Sequence, residues 1–132
     1  MNEKYVKMMM KLDDQIKKEE YQIYEILKEL FEIEKMIKQK QMEKVELKEN
    51  IEREWLTRYE KMKKSKGITK SFALSKAKEE YQKKAEELER ELLSLSEEKH
   101  NKELEIRLHR IERESLKRNF DLLLKFGGER DE

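Results

Sequence analysis

The sequence predicts an all-α protein, a long antiparallel coiled-coil hairpin of two helices. Its 132 residues include no proline and only three glycines, which leaves few places where the chain can turn. Charged residues make up 48% and hydrophobic residues 36% of the chain, a composition too polar for a thick globular core and typical of long helices. Apolar residues also recur alternately every four and three positions, which is the heptad pattern of coiled coils.

Helix one is predicted over residues 1–66 and has the clearer heptad pattern. Steps of four and three from Tyr5 to Ile51 reach fourteen positions, and eleven of them are apolar. A chain of this composition would place about five apolar residues there by chance. After Ile51, two successive steps of four lead through Trp55 to Tyr59, which is a stutter in the heptad phase.

A turn is predicted over residues 67–70, because the chain offers its strongest internal break there. Gly67 suits the left-handed conformation that ends a helix. The lysine-rich segment before it complements the negative end of helix one. Either Thr69 or Ser71 is expected to cap the next helix through its side-chain oxygen.

Helix two is predicted over residues 71–126, and residues 127–132, which begin with two glycines, are predicted to form a frayed tail. Its apolar seam starts at Leu74 and contains two steps of four around Tyr81. The stutters of the two helices are mirror images about Ile68, so facing layers are expected to have residue numbers that add to about 136. This symmetry favours one chain folded back on itself over a parallel homodimer.

An apolar strip is the first candidate binding surface. Helix one is apolar over 23–37, whereas the seam positions of helix two over 99–113 are mostly polar. A local change of helical phase would bury the excess apolar residues within the hairpin. Otherwise the strip is an uncovered surface that binds a protein partner or a second copy of the chain. The candidate binding residues are Ile23, Ile26, Leu27, Phe31 and His109. The residues whose burial distinguishes the alternatives are Tyr24, Leu27, Phe31 and Met36 on helix one and Leu104, Leu108 and Ile111 on helix two.

The open end of the hairpin, where the two chain ends meet, is the second candidate binding surface. Three consecutive methionines at 8–10 point in three directions, so at least one lies off the seam. Exposed methionine suits adaptable protein contacts. The alternative role of these residues is to close the end of the coiled coil. The candidates are Met8, Met9, Phe120 and Leu123.

Composition and motifs argue against several function classes. The 32 Lys+Arg and 31 Asp+Glu residues lack the basic excess of a nucleic-acid-binding protein. No apolar run approaches the ~20 residues that cross a bilayer. The chain has no cysteine, and His100 and His109 are too far apart in sequence to chelate one metal alone. A two-helix hairpin also lacks the dry concave pocket that catalysis needs. We therefore expect a cytoplasmic protein that is not an enzyme, with no cofactor, metal, nucleic-acid partner or membrane insertion.

The layout resembles the FliJ/YscO group, the small cytoplasmic coiled-coil stalk proteins of flagellar and type III secretion export machinery. The features that carry the resemblance are two long helices, a Lys-Ser-Lys-Gly-Ile-Thr turn near residue 67, and the seam residues Leu74, Tyr81 and Leu88. The resemblance implies that the open end, around Met8–Leu12 and Leu116–Phe126, inserts into a ring-shaped hexameric ATPase. It also implies contact with an export-gate subunit and with chaperones. The other hypothesis is a non-catalytic scaffold or adaptor that binds its partner through the apolar strip.

Overall fold

A computed structural model of the chain describes residues 3–62 and 69–127. It contains two α-helices, α1 over Glu3–Met62 and α2 over Lys70–Leu122. A π-helical segment over Leu123–Gly127 follows α2 directly. The described residues contain no β-strand, and the two helices pack against each other. The predicted all-α helical hairpin is therefore confirmed.

The start of α2 is set by Thr69. Its Oγ1 accepts a hydrogen bond from the Phe72 amide at 3.1 Å, and its carbonyl accepts one from the Ala73 amide at 3.2 Å. Thr69 is therefore the N-cap, whereas Ser71 lies inside the helix. Because the cap lies at 69, α2 begins one residue earlier than predicted.

The other predicted boundaries are met only in part. Helix two was expected to stay α-helical to residue 126, but its last turn is π-helical. The predictions for residues 63–68, including Gly67, lie outside the described residues. Of the predicted tail over 127–132, residues 128–132 also lie outside the described residues, whereas Gly127 is the last residue of the π-helical segment rather than part of a tail.

The first of two compact units combines Met1–Glu32 with Lys99–Glu132. Tyr5 contacts Leu123, and Glu29 contacts Lys102, so the two helices run antiparallel within this unit. Its buried core residues are Tyr5, Ile16, Ile23, Ile26 and Ile106. All of these except Ile106 belong to the predicted seam of helix one, and Ile106 belongs to that of helix two.

The second unit comprises Ile33–Glu98. Lys40 contacts Glu91 and Trp55 contacts Glu80, so the helices are antiparallel here as well. The buried core residues of this unit are Ile33, Ile51, Ala73, Ala77, Ala85 and Leu95. Three of the six, Ala73, Ala77 and Ala85, are alanines on α2, so the part of this core that α2 contributes consists mostly of small side chains.

The predicted start of the second seam, Leu74, is wrong by one residue. Ala73 is 1% exposed, whereas Leu74 is 41% exposed. Ala73 lies beside Trp55 and Tyr59, with which it lines one small surface hollow. Beside these large aromatic rings the buried position is taken by the small alanine, and the leucine is exposed.

Candidate protein-binding surfaces

The seam of the first unit continues through polar residues without a change of helical phase. Ile106 is buried with Ile23 and Ile26, and Leu30 packs against this cluster. His109 and Arg113, the next seam positions after Ile106, are half-buried. The predicted alternative in which the helix rotates to bury its neighbouring leucines is therefore wrong.

Polar contacts across the helices explain how the polar seam is tolerated. Lys102 Nζ lies 2.7 Å from Glu29 Oε2, and its half-buried stem lies along the seam. His109 Nδ1 lies 2.5 Å from Glu19 Oε2, so a glutamate seam position of helix one has a partner as well. The predicted sum of about 136 pairs His109 with Ile26, whereas its contact, Glu19, lies one heptad earlier in α1. The His109–Glu19 contact therefore departs from the predicted sum of 136, whereas the contact of Lys117 with Glu20, at 3.8 Å, agrees with it.

Arg113 is the least satisfied group in this seam. Its Nε is buried and has no hydrogen-bond partner in the described residues. One terminal guanidinium nitrogen lies 3.7 Å from Glu114 Oε1 on the same helix. A buried donor without an acceptor destabilises the fold, so Arg113 stands in the seam at a free-energy cost.

An exposed apolar row on α1 consists of Tyr24, Leu27 and Phe31. We call this row the α1 stripe. Each follows a seam residue by one position, so the row lies about 100° around the helix from the seam. The exposed fraction of Phe31 is 59% and that of Tyr24 is 56%. Lys28 Nζ lies 4.7 Å from the centroid of the Tyr24 ring and gives the stripe a charged edge.

A second exposed apolar row, on α2, consists of Leu104, Leu108 and Ile111. We call this row the α2 stripe. Each lies two positions from a seam residue, or about 200° around the helix, so the row faces away from α1. The exposed fraction is 66% for Leu108 and 59% for Ile111. The sequence identified these residues as apolar but did not show whether they would face α1 or face away from it.

A third apolar surface lies where the chain ends of the first unit meet. It is an open groove of about 690 Å³ lined by Met8, Lys11, Leu12, Gln15, Asn119, Leu122, Leu123 and Phe126. Tyr5 Oη donates a hydrogen bond of 2.6 Å to the Leu123 carbonyl, at the start of the π-helical segment. Phe126, which lies within the π-helical segment, is exposed.

The structure sorts the predicted binding residues into two groups. Ile23 and Ile26 are buried between the helices, and Met9, His109, Phe120 and Leu123 are half-buried at seam positions. These six residues contribute to the packing of the hairpin, and Leu123 also lines the groove. Leu27 and Phe31 of the α1 stripe and Met8 of the groove are exposed. Leu122, which also lines the groove, was not among the sequence candidates, because its orientation depends on the helix end.

The electrostatic environment of the second unit is built from ion pairs. Lys40 Nζ lies 2.8 Å from Glu91 Oε2 and 3.6 Å from Glu43 Oε2. The hydrogen bond to Glu91 and the charge of Glu43 raise the pKa of Lys40. Lys44 and Glu89 form a further pair across the helices at 3.2 Å. The pairs of Lys40 with Glu91 and of Lys44 with Glu89 join α1 to α2 in this unit.

Other kinds of site are not seen in the part of the chain that the structure describes. No three His, Asp or Glu side chains converge on a position that could hold a metal ion. Neither helix contains, within residues 3–62 and 69–127, a stretch long and apolar enough to span a membrane. Comparison with known proteins finds no matching family model, no curated relative and no similar solved structure.

Proposed function

We propose that the protein is a non-catalytic, cytoplasmic scaffold or adaptor that binds another protein through the α1 stripe. The observation that supports this proposal is the exposure of Tyr24, Leu27 and Phe31 beside a buried cluster to which they do not belong. Contiguous apolar surface that the chain does not need for its own core is typical of protein-binding sites.

The spacing of the stripe favours a helical partner. Residues 24, 27 and 31 are separated by three and four positions, so they present one straight apolar row. An amphipathic helix laid along this row can place its own apolar residues against it at the same spacing. The Lys28–Glu25 pair, at 3.3 Å, lies at its edge and supplies a polar rim.

Affinity capture of the tagged protein from its native cell, followed by mass spectrometry, tests the proposal. Substitutions Leu27→Asp and Phe31→Asp together are expected to reduce partner recovery at least tenfold, because loss of central apolar contacts costs more than about 1.4 kcal/mol. Met42→Asp is the matched control, since Met42 is an exposed apolar residue of α1 outside the stripe. Undiminished capture by the stripe variant would overturn the assignment.

The groove between the chain ends favours a second candidate function, a stalk of an ATPase-driven export machine similar to the FliJ/YscO group. It is an apolar surface at the end that the resemblance assigns to a hexameric ATPase, and Met8 and Phe126 are exposed on it. Met8→Asp combined with Phe126→Asp should then abolish recovery of a hexameric ATPase or an export-gate subunit. Recovery of such proteins by this variant, and their loss with Leu27→Asp and Phe31→Asp, would favour the scaffold instead.

A further inference from the structure

The α2 stripe is an apolar surface that neither proposed function uses. Leu104, Leu108 and Ile111 follow one another at steps of four and three, which is the spacing of a short coiled-coil seam. They face away from α1, on a helix that packing against α1 already holds in shape. A second helix could therefore pack here without any rearrangement of the hairpin.

Two charged residues flank the stripe on opposite sides. Arg107 precedes Leu108 and Glu112 follows Ile111. Neither makes an ion pair with any residue that the structure describes. Their separation of five positions prevents them from pairing with each other along one helix, where neighbours lie three or four apart.

In a parallel pair of helices, charged residues that flank the seam contact each other between the two helices when they lie five positions apart in sequence. In such a pair, the residue just before an a position of the heptad (position g, here Arg107 before Leu108) faces position e on the other helix, five residues later (here Glu112). Arg107 of one copy would then face Glu112 of the second copy, and two-fold symmetry makes the contact twice. His100 and Glu105 have the same relation one heptad earlier.

We propose that the α2 stripe is a homodimer contact, in which two copies of this chain pack α2 against α2 in parallel. The charges select this direction, because an antiparallel pair would place Glu105 of one copy near Glu112 of the other. Asn101, one step of three before Leu104, would meet its own counterpart, and a paired asparagine in this position is characteristic of parallel dimers. The contact lies on a different face from the α1 stripe and does not depend on the proposed function.

Sedimentation equilibrium of the full chain, up to about 1 mM, tests whether the dimer exists. The native chain is expected to associate to a dimer and Leu108→Glu to remain monomeric with unchanged helical circular dichroism. Leu108 is exposed, so its replacement should not disturb the fold. Met42→Glu, at another exposed apolar position, should dimerise like the native chain. A native chain that is monomeric at every concentration would overturn the proposal.

Charge exchange tests the parallel pairing. Arg107→Glu and Glu112→Arg should each weaken the association constant about tenfold, because each turns two attractive contacts into repulsive ones. An equimolar mixture of the two variants should associate as tightly as the native chain, since the mixed dimer has opposite charges at both contacts. If the mixture associates no better than either variant alone, the pairing of Arg107 with Glu112 is wrong.

Disulfide trapping tests the direction independently, since the natural chain contains no cysteine. Asn101→Cys should form a covalent dimer under mild oxidation, because a parallel pair brings the two copies of this position together. Glu103→Cys, on another side of α2, is the control and should crosslink only slowly. Equal crosslinking of both variants would overturn the parallel arrangement.

Discussion

The contact between Trp55 of α1 and Glu80 of α2 makes the packing of the two helices sensitive to one carboxyl group. The indole Nε1 donates a hydrogen bond of 2.6 Å to Glu80 Oε2, and Lys84 Nζ lies 2.9 Å from the other carboxylate oxygen. Arg58 lies over the indole ring, 4.7 Å from its centroid. The hydrogen bonds from Lys84 and then from Trp55 hold the pKa of Glu80 below its usual 4.5.

Acidification should therefore break this contact only at low pH. Since the pKa of Glu80 is lowered in the folded chain, its stabilising contribution is present above pH 4.5 and is lost as the pH falls through the lowered pKa. Trp55 is the only tryptophan, so its fluorescence follows the contact directly. We expect an emission change with a midpoint below pH 4.5.

Glu80→Gln separates this step from general acid unfolding. The variant should lack the emission change attributed to Glu80, whereas Glu79→Gln should keep it, because Glu79 contacts Lys76 and not the indole. An unchanged titration in Glu80→Gln would mean that another carboxyl group causes the effect.

Arg113 gives the second prediction at the residue scale. Arg113→Leu should raise the free energy of unfolding by about 1 kcal/mol, since it removes a buried Nε without an acceptor and adds an apolar side chain to the seam. Urea unfolding followed by circular dichroism measures the change. Arg110→Leu, at an exposed position, should stay within about 0.5 kcal/mol of the native value. A less stable Arg113→Leu would show that the guanidinium stabilises the seam.

At the scale of the helices, the N-cap of α2 depends on one hydroxyl group. Thr69→Ala should lower the free energy of unfolding by about 1 kcal/mol, because the Phe72 amide loses its acceptor. Ser71→Ala is the matched control and should have a much smaller effect, since Ser71 lies within the helix. Equal losses in the two urea unfolding curves would contradict the assignment of Thr69 as the cap.

Most of α1 could be predicted from the sequence because its apolar period directly encodes the buried face. Tyr5, Ile16, Ile23, Ile33 and Ile51 were all assigned to the seam, and all are buried. In a two-helix hairpin, a residue such as Ile33, which is 4% exposed, can be buried only against the facing helix. Heptad spacing alone therefore identifies it.

The parts that could not be predicted depend on the fit between helices rather than on periodicity. Leu74 is more hydrophobic than Ala73, so a pattern based on hydrophobicity selects it, yet the bulk of Trp55 and Tyr59 favours the alanine. The π turn after Leu122 likewise accompanies a distant hydrogen bond from Tyr5 to the Leu123 carbonyl. No local signal in residues 123–127 encodes that contact.

The candidate surfaces illustrate the same limit. The sequence identified Leu27 and Phe31 as apolar residues beside the seam but also allowed a rotated helix that would bury them. In the structure the polar seam stays in place, and Lys102 and His109 contact Glu29 and Glu19 across it. Whether a lysine at a seam position is accommodated or rotated away depends on an acidic partner from the other helix.

At the scale of the whole molecule, the two compact units differ in how their helix segments are connected. The second unit, Ile33–Glu98, is one continuous stretch of chain, whereas the first joins segments from the two ends. Isolated helices are marginally stable in water, so each segment depends on its packing partner. In a continuous fragment that partner is linked covalently, and association carries no loss of translational freedom.

A fragment of residues 33–98 is therefore expected to fold alone. Its core, including Ile51 and Ala85, lies entirely within the fragment, and Trp55 provides a fluorescence signal. We expect a cooperative thermal transition by circular dichroism and an emission spectrum like that of the full chain. Ile51→Asp in the fragment should abolish cooperativity, because it buries a charge without a partner. Peptides 1–32 and 99–132, mixed at low micromolar concentration, should be much less helical than the same segments in the full chain. A broad, non-cooperative transition in the fragment would instead mean that its helix segments are stable only as parts of the full chain.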